Sequence, residues 1–326
     1  MGEPGGVGGE LTIKAWRALA GGGPCFFVID DPARLERLGA PVAAIASPRQ
    51  ASEAFARTLP VLDLGVEVRA EPGRVDAANA PHVIASIEKA ARLALAGEAG
   101  GVVTNPIQKS ALIAAGFRFP GHTEFLGALT RETPMPAGRR RGPVMMLAGP
   151  GLRTVPVTVH LPLARVAAVL TSEMIVDAAL VTAESLTHDF GIKNPRLAFA
   201  GLNPHAGESG ALGAEDGAIV APAVAALRAA GIDARGPLPA DTMFHEEARA
   251  TYDVAICMYH DQALIPIKTL AFHEAVNVTL GLPIVRSSPD HGTALDLVGT
   301  GAARPDSLIA AIRLAGEMAA RRAGAV

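Results

Sequence analysis

Short runs of β-branched and apolar residues alternate with helical patterns along this 326-residue chain. GGVVTNP precedes IQKSALIAAG, TVPVTVH precedes LARVAAVLT, and RLAFAGL precedes a glycine-rich loop and then IVAPAVAALRAAG. Strands that alternate with helices form βα units, and successive βα units build a mainly parallel sheet covered by helices. The sequence therefore predicts an α/β fold. Ligands are expected at the carboxyl ends of its strands, because the loops converge there.

Two segments show clear helical periodicity. In HVIASIEKAARLALAGEAG, apolar residues recur every three or four positions from Val83 to Leu95, which predicts a helix that ends near Gly97. In LTIKAWRALAGG the same spacing predicts a helix with Leu11, Ala15, Ala18 and Leu19 on one face.

Breaks in the pattern suggest more than one structural unit. The segment TRETPMPAGRRRGP, residues 130–143, is dense in proline and charge, and a second break lies at Gly281-Leu282-Pro283. The basic cluster Arg139-Arg140-Arg141 is expected to be a solvated loop.

Composition excludes several classes of protein. A net charge of −3 argues against a nucleic-acid binder, which needs clustered Lys and Arg. Two cysteines, Cys25 and Cys257, give no disulfide framework and indicate a reducing compartment. We see no signal peptide and no apolar run long enough for a membrane span. The sequence therefore predicts a soluble cytoplasmic protein with neither membrane nor nucleic-acid partners.

Three histidines lie at or just after predicted strand ends: His160, His205 and His260. Three neutral imidazoles suit Zn²⁺ and similar ions and leave a coordination position open for substrate. The alternative is that each histidine only caps a strand or helix by hydrogen bonding, since no local motif of the HExxH type fixes the geometry. Asp261, next to His260, either orients a ligand imidazole or is a surface carboxylate.

A second group of residues predicts an anion pocket. In PGHTEFLGAL, His122 and Thr123 stand at a helix start, where Thr123 is the expected N-cap and where a phosphate or carboxylate is favoured. Lys268, within ALIPIKTL, either lies along apolar surface or meets an anion. Asn277 in AVNVTL and Arg286 after LGLPIV are further candidates. Together with the histidines they predict a metal site beside an anion pocket.

The opening MGEPGGVGGE lacks a preceding strand, and its glycines do not match GxGxxG. The ordinary dinucleotide-binding fingerprint is therefore absent.

The blocks GHTEFL, VHLPLARVA, GLNPHAGESG, GPLPADTMF, MYHDQALIPIK and VNVTLGLPIVRSSPDHGTALDL resemble the 4-hydroxythreonine-4-phosphate dehydrogenase family of the vitamin B6 pathway, over nearly the whole chain. The resemblance implies one divalent metal (Zn, Mg or Co) on the three histidines. It implies NAD or NADP as cofactor. The implied substrate contacts are His122, Thr123, Lys268, Asn277 and Arg286. The candidate general bases are Lys268 and Asp241, and the candidate cofactor contacts are Gly2, Glu3, Pro4, Gly281 and Leu282.

The same resemblance implies an architecture like that of isocitrate and isopropylmalate dehydrogenases, with two α/β/α subdomains and a cleft between them. Combined with the breaks above, it assigns residues 1–128 and 280–326 to one subdomain. Residues 129–279, with the metal ligands and dimer contacts, form the other. Family members are homodimers whose active sites draw residues from both subunits.

The implied reaction is oxidative decarboxylation, in which NAD(P)⁺ takes hydride from the carbon that bears the substrate's 3-hydroxyl group. A divalent metal that polarises this oxygen is Lewis-acid catalysis. Alternatives are a related decarboxylating dehydrogenase for a phosphorylated sugar acid or an aromatic cis-dihydrodiol, a phosphate acyltransferase, and a non-catalytic metal-binding protein.

The resemblance also implies a β-strand before the GEPxGxG loop, whereas this sequence opens with MGEP. We therefore expect the loop's entry to be untethered and residues 1–8 to be less ordered than in a longer relative. About six β-forming residues upstream are expected to raise thermal stability and to tighten nicotinamide binding.

Overall fold

The computed structural model describes residues 1–324. Its strands are β1 (Val28–Asp30), β2 (Val42–Ile45), β3 (Leu59–Asp63), β4 (Gly101–Val103), β5 (Val144–Gly149), β6 (Leu152–Pro156), β7 (Arg196–Ala200), β8 (Asp233–Leu238), β9 (Val254–Cys257), β10 (Val276–Leu280) and β11 (Val285–Pro289). Its α-helices are α1 (Gly8–Leu19), α2 (Pro32–Arg37), α3 (Ala51–Ala54), α4 (Ala80–Leu95), α5 (Lys109–Ala114), α6 (His122–Leu129), α7 (Leu163–Val169), α8 (Ser172–His188), α9 (Ala221–Ala229), α10 (Glu246–Arg249), α11 (His260–Ala271) and α12 (Asp306–Arg322).

The predicted α/β class is confirmed. The two helices with clear periodicity are α1 and α4, and α4 ends two residues before Gly97, as expected. On α1, Leu11, Ala15 and Leu19 are buried as predicted, whereas Ala18 is exposed. Ile13 and Trp16 are buried in addition. Within residues 1–324 no single helix is long and apolar enough to cross a membrane. Only α7 and α8 taken together, across a 95° bend, reach that length and composition.

The chain divides into two compact units. The first unit contains Met1–Pro134 and Pro283–Ala320. In it, β3 lies between β1 and β2 in a parallel sheet, and β4 pairs in parallel with β11, where Arg286 stands opposite Val102. Its core forms where one face of α1 packs with side chains such as Leu35, Phe55 and Leu59. Burial of these apolar surfaces is the main stabilising term, at about 25 cal/mol per Å².

The second unit contains Met135–Leu282 and the residues from Arg321 onward. Its strands lie in the order β10-β5-β6-β9-β7-β8. The strands β6, β9, β7 and β8 are parallel to one another, whereas β5 is antiparallel to both β10 and β6. The sheet of this unit is thus mainly parallel, as predicted, with β5 as the antiparallel strand, because the Pro150-Gly151 turn folds β5 and β6 into a hairpin.

The basic cluster at 139–141 is not simply a solvated loop, which corrects the sequence-based expectation. The side chain of Arg139 is only 6% exposed and forms a bidentate ion pair with Asp189, at 2.9 and 3.0 Å. Arg322 reaches the same carboxylate at 2.8 and 2.9 Å. Asp189 lies at the C-terminal end of α8 and is fully buried, so it requires both guanidinium groups to offset its desolvation. Sequence composition could not reveal that Arg139 pairs with Asp189, because the two residues lie 50 positions apart in the chain.

Asp189→Asn is expected to destabilise the protein by about 2 kcal/mol, because a neutral amide cannot accept charge-assisted bonds from two guanidinium groups. Burial alone would raise the pKa of Asp189, but hydrogen bonds from Arg322 and Arg139 outweigh it and hold that pKa below its usual value. A depressed folded-state pKa contributes stability above the unfolded pKa, and that contribution is lost as the pH falls through the folded pKa. Urea melts between pH 7 and pH 3 measure both effects. An acid dependence in the variant equal to that of the wild type would contradict the assignment.

The opening loop is anchored, which differs from the untethered entry that the sequence predicts. The Met1 ammonium donates a hydrogen bond to the Ile29 carbonyl at 2.9 Å, and the Ser86 hydroxyl donates to the Met1 carbonyl at 3.2 Å. The Glu3 amide donates to the Pro106 carbonyl at 2.9 Å. These partners come from elements distant in sequence, so local patterns could not predict them.

A cavity of about 440 Å³ in the first unit lies along β1 and β4, lined on one side by Val28 and Ile29 and on the other by Val102 and Val103. Each of these strands is paired on its other side, β1 with β3 and β4 with β11. An additional strand needs an unpaired strand edge with which it can form hydrogen bonds. The expectation that an added β-forming segment before Met1 raises thermal stability therefore stays a prediction.

Candidate functional site

Three neighbouring parallel strands of the second unit carry the candidate metal ligands at their carboxyl ends. In the order β6-β9-β7, His160 follows β6, His260 is the first residue of α11 after β9, and His205 lies in the loop after β7. Parallel strands that end at the same sheet edge bring their following loops together. The prediction that His260 lies just after a strand end is thus consistent with the structure.

Two of these histidines lie side by side. The ring centroids of His160 and His260 are 5.8 Å apart, with an angle of 38° between the ring planes. Two imidazoles that bind one ion through nitrogens about 2.0–2.1 Å from it have a comparable ring separation, so this pair fits a shared metal ion. The Nδ1 atom of His260 lies 2.7 Å from a carboxylate oxygen of Asp261, which leaves Nε2 as the ring nitrogen for a metal. The Asp261 side chain is 70% exposed, so it is a surface carboxylate that makes this contact with the His260 ring.

His205 lies in an unusual backbone segment. Residues His205–Ser209 all have positive φ, between 42° and 79°, and His160 has φ of 42°. Left-handed backbone at residues other than glycine is strained and clusters at ligand sites. In the part of the chain that the structure describes, no three His, Cys, Asp or Glu side chains stand close enough together to hold a metal ion. Convergence of all three histidines on one ion therefore stays a prediction.

The first unit holds a buried guanidinium group. Arg286 on β11 is 3% exposed, and its Nη2 donates to the Thr104 hydroxyl just beyond β4, at 2.8 Å. Burial lowers the pKa of Arg286 to about 10, and the carboxylate of Glu124 opposes that shift. A cation that is buried to this degree is a strong attractor for an anion.

His122 is the first residue of α6, whose N-cap is Gly121 and not Thr123, which corrects the predicted capping. The helix begins earlier because the Phe125 amide already bonds to the Gly121 carbonyl. The His122 Nε2 is buried and has no hydrogen-bond partner among the described residues. Burial, and then the charge of Arg286, hold the pKa of His122 well below its usual value, so the ring is neutral. A neutral imidazole at a helix N-terminus beside cations can donate to a phosphate or carboxylate.

Three further predicted site residues lie in the second unit: Lys268, Asn277 and Asp241. Lys268 lies two turns along α11 from His260, with its Nζ 5.9 Å from the centre of the Phe272 ring. Asn277 lies on β10 opposite Leu147 of β5. Asp241 is exposed in the short turn Ala240–Thr242. The assignment of Lys268 or Asp241 as the general base stays a prediction.

The sequence matches the family described as pyridoxal phosphate biosynthetic protein PdxA over residues 25–315. The chain belongs to the PdxA family. A 4-hydroxythreonine-4-phosphate dehydrogenase from Caulobacter vibrioides is 56% identical over 323 residues, which cover 98% of this chain and 96% of that protein. The family resemblance inferred from the sequence blocks is therefore confirmed.

Solved structures support the same membership. The crystal structure of a 4-hydroxythreonine-4-phosphate dehydrogenase from Klebsiella pneumoniae superimposes with a TM-score of 0.82 at 37% identity, covering 98% of this chain and 96% of that one. A terephthalate 1,2-cis-dihydrodiol dehydrogenase from Burkholderia xenovorans LB400 gives a TM-score of 0.63 at 30% identity, over 97% of this chain and 96% of that one. The PdxA family fold is thus the fold of this chain.

The residues predicted to contact a cofactor fall in both units. Gly2, Glu3 and Pro4 belong to the buried opening loop, where a Cβ on Gly2 would lie 2.5 Å from the Pro106 carbonyl oxygen. Gly281 has φ of 71°, and a Cβ there would lie 2.3 Å from the Gly142 amide nitrogen. These glycines are thus explained by close packing against the chain itself. A role in cofactor binding stays a prediction.

Sequence reasoning missed three polar residues in the segment directly after β4. The Thr104 hydroxyl accepts a hydrogen bond from Arg286, Asn105 has a buried Oδ1 with no partner within residues 1–324, and the Lys109 charge lowers the His122 pKa. All three lie in TNPIQK, directly after β4. The signal was available, because a polar Asn-Pro pair follows an apolar strand here as it does before His205.

Proposed function

We propose that this PdxA-family protein is an NAD(P)- and divalent-metal-dependent dehydrogenase. Its reaction is the oxidative decarboxylation of 4-phosphohydroxy-L-threonine to 3-amino-2-oxopropyl phosphate and CO₂, in pyridoxal 5′-phosphate biosynthesis. The observation that carries the proposal is the pair of imidazoles, His160 and His260, held 5.8 Å apart at neighbouring strand ends. The names of the relatives at 56% and 37% identity support an oxidoreductase with this substrate.

Anion binding and metal binding are assigned to different groups of residues. Arg286 and neutral His122, with the nearby Lys109 charge, suit an anionic group of the substrate. His160 and His260, together with His205, are the proposed holders of Zn²⁺, Mg²⁺ or Co²⁺. When bound, the cation supplies Lewis-acid polarisation of the substrate oxygen and the nicotinamide accepts the hydride.

Proton removal from the 3-hydroxyl group needs a base on the protein. Lys268 and Asp241, both in the unit that carries the histidines, are the candidates. The further proposed substrate contacts are Thr123 and Asn277, whose hydroxyl and amide groups can hydrogen-bond to a carboxylate or an amine.

A second candidate substrate is an aromatic cis-dihydrodiol, because the solved dihydrodiol dehydrogenase shares 30% identity with nearly the whole chain. The smaller TM-score, 0.63 against 0.82, favours the phosphorylated amino acid. A phosphorylated sugar acid would fit the same anion-binding residues. A phosphate acyltransferase has no need of the paired imidazoles, and a non-catalytic metal-binding protein has no need of the buried Arg286.

A single assay separates these candidates. Purified protein is incubated with NAD⁺ or NADP⁺, a divalent metal and 4-phosphohydroxy-L-threonine, and absorbance at the NADH wavelength is recorded. We expect reduced cofactor to appear with this substrate and not with a cis-dihydrodiol or a phosphorylated sugar acid. Reduction with only one of the other substrates would reassign the function within the same reaction class. No reduction with any of them would contradict a dehydrogenase.

We also propose a homodimer with active sites at the subunit interface. Large apolar side chains of the second unit are exposed, among them Ile265 at 64% on α11, Phe272 at 67% directly after α11, and Leu163 at 67% on α7. Exposed apolar groups of this size are costly to leave in water and mark association surfaces. Sedimentation of the wild type is expected to give a dimer, and Ile265→Asp with Phe272→Asp a monomer. A monomeric wild type would contradict the proposal. A cytoplasmic location stays a prediction.

A further inference from the structure

A buried glutamine joins two of the loops that carry candidate metal ligands. Gln262 lies in the first turn of α11, two residues after His260, and is 8% exposed. Its Oε1 accepts a hydrogen bond from the Met258 amide at 2.7 Å, and its Nε2 donates to the Gly201 carbonyl at 2.7 Å. Met258 directly follows β9 and leads to His260, whereas Gly201 directly follows β7 and leads to His205. One side chain thus bridges both strand ends.

The segment that follows β6 is also hydrogen-bonded to Met258. The Thr158 hydroxyl, which is buried, donates to the Met258 carbonyl at 2.7 Å, and the Thr158 amide donates to the same oxygen at 3.3 Å. Thr158 lies between the end of β6 and His160. Met258 is therefore held on one side by Gln262 and on the other by Thr158, so the three loops share one hydrogen-bonded framework.

The loop that carries His205 is also held by the carboxylate of Asp216. The carboxylate of Asp216 is 1% exposed and accepts from the Leu202 amide at 2.6 Å and from the Asn203 amide at 2.9 Å. These two residues lie between Gly201 and the left-handed segment that begins at His205. Asp216 therefore holds the loop that follows β7 through its own backbone amides. Gln262 holds the same loop against the end of β9.

We propose that Gln262 is a positioning residue, which holds the loops of His205 and His260 at a fixed separation so that their imidazoles can share one ion. The inference rests on the proposed function. The residue type matters, because a primary amide donates and accepts at the same time. A carboxylate at this position could not donate to Gly201, and an apolar side chain could do neither. Groups that orient metal ligands without touching the metal typically change metal affinity by about 10- to 100-fold.

Gln262→Met tests the inference, since methionine has a similar length but makes neither hydrogen bond. Co²⁺ is the probe, titrated into metal-free protein against a competing chelator and followed by its visible spectrum. We expect Co²⁺ affinity to fall roughly 10- to 100-fold. In the metal-free protein, amide hydrogen exchange of residues 201–209 is expected to accelerate. Gln262→Glu, which can still accept from Met258, is expected to keep the Met258 amide protected while residues 201–209 exchange faster.

Tyr252→Phe is the matched control. The Tyr252 hydroxyl is buried and donates to the Met243 carbonyl at 2.8 Å, at the opposite end of β9 from His260. Its removal deletes a buried hydrogen bond from the same unit, so Tm is expected to fall while Co²⁺ affinity and exchange at 201–209 stay at wild-type values. If Gln262→Met lowers only Tm, as this control does, the positioning role is overturned and the metal site stands. If the wild type itself binds no Co²⁺, the proposed metal site is overturned and the positioning role with it.

Discussion

Replacing Arg286 by alanine is expected to lower kcat/KM for the phosphorylated substrate by roughly 30- to 5,000-fold, which corresponds to about 2–5 kcal/mol of transition-state stabilisation. The reason is the burial of the guanidinium group, since Arg286 is 3% exposed. Water screens a buried charge poorly, so a substrate phosphate or carboxylate would gain much from it. Steady-state kinetics with varied substrate concentration measures the effect. Arg286→Lys keeps the positive charge but lacks the planar guanidinium group, so it separates the contributions of charge and of hydrogen-bond geometry.

Arg140→Ala is the matched control for Arg286. The Arg140 side chain is 53% exposed and lies 3.5 Å from Glu184, so the pair is a surface ion pair of small energetic weight. We expect kcat/KM in this variant to stay within about twofold of the wild type. Lys268→Ala is expected to lose activity in the same range as Arg286→Ala if its ammonium group meets substrate charge. Near-normal kcat/KM in either variant, with folding intact, would return that residue to a structural role.

Removing the divalent metal is expected to reduce kcat by on the order of a thousandfold or more, because Lewis-acid polarisation of a substrate oxygen contributes several kcal/mol. Dialysis against a chelator, followed by readdition of Zn²⁺, Mg²⁺ or Co²⁺, measures the loss and identifies the ion that restores activity. His260→Ala is expected to reproduce the loss and to resist rescue at metal concentrations that saturate the wild type. His260 is chosen because the Asp261 contact at its Nδ1 atom, at 2.7 Å, leaves the Nε2 atom as the ring nitrogen for a metal.

His188→Ala is the control for the histidine variants. His188 is exposed in the last turn of α8, in the same unit but away from the strand ends. Its removal is expected to leave both metal content and kcat unchanged. Activity in the chelated wild type equal to that of the untreated protein would contradict metal dependence altogether.

Much of the fold could be predicted from local patterns. The helices α1 and α4 follow from apolar spacing, because the contacts that stabilise one face of a helix recur with the helical repeat. The approximate strand ends after Ala200 and Cys257 follow from apolar runs that meet polar clusters. The hairpin of β5 and β6 was missed, although Pro150-Gly151 marks a turn, because a turn dipeptide does not by itself indicate which strands pair.

The sequence by itself determined the residue chemistry of this protein: which strand ends carry imidazole, where the guanidinium and ammonium groups lie along the chain, and which family its motifs match. Only the tertiary structure decided which of those groups are neighbours. It set His160 beside His260, buried Arg286 against Thr104, and joined Asp189 to Arg139 and Arg322. The physical reason is that these contacts link positions 50 to 182 residues apart. Their energies depend on burial and distance, and neither quantity exists until the chain has folded.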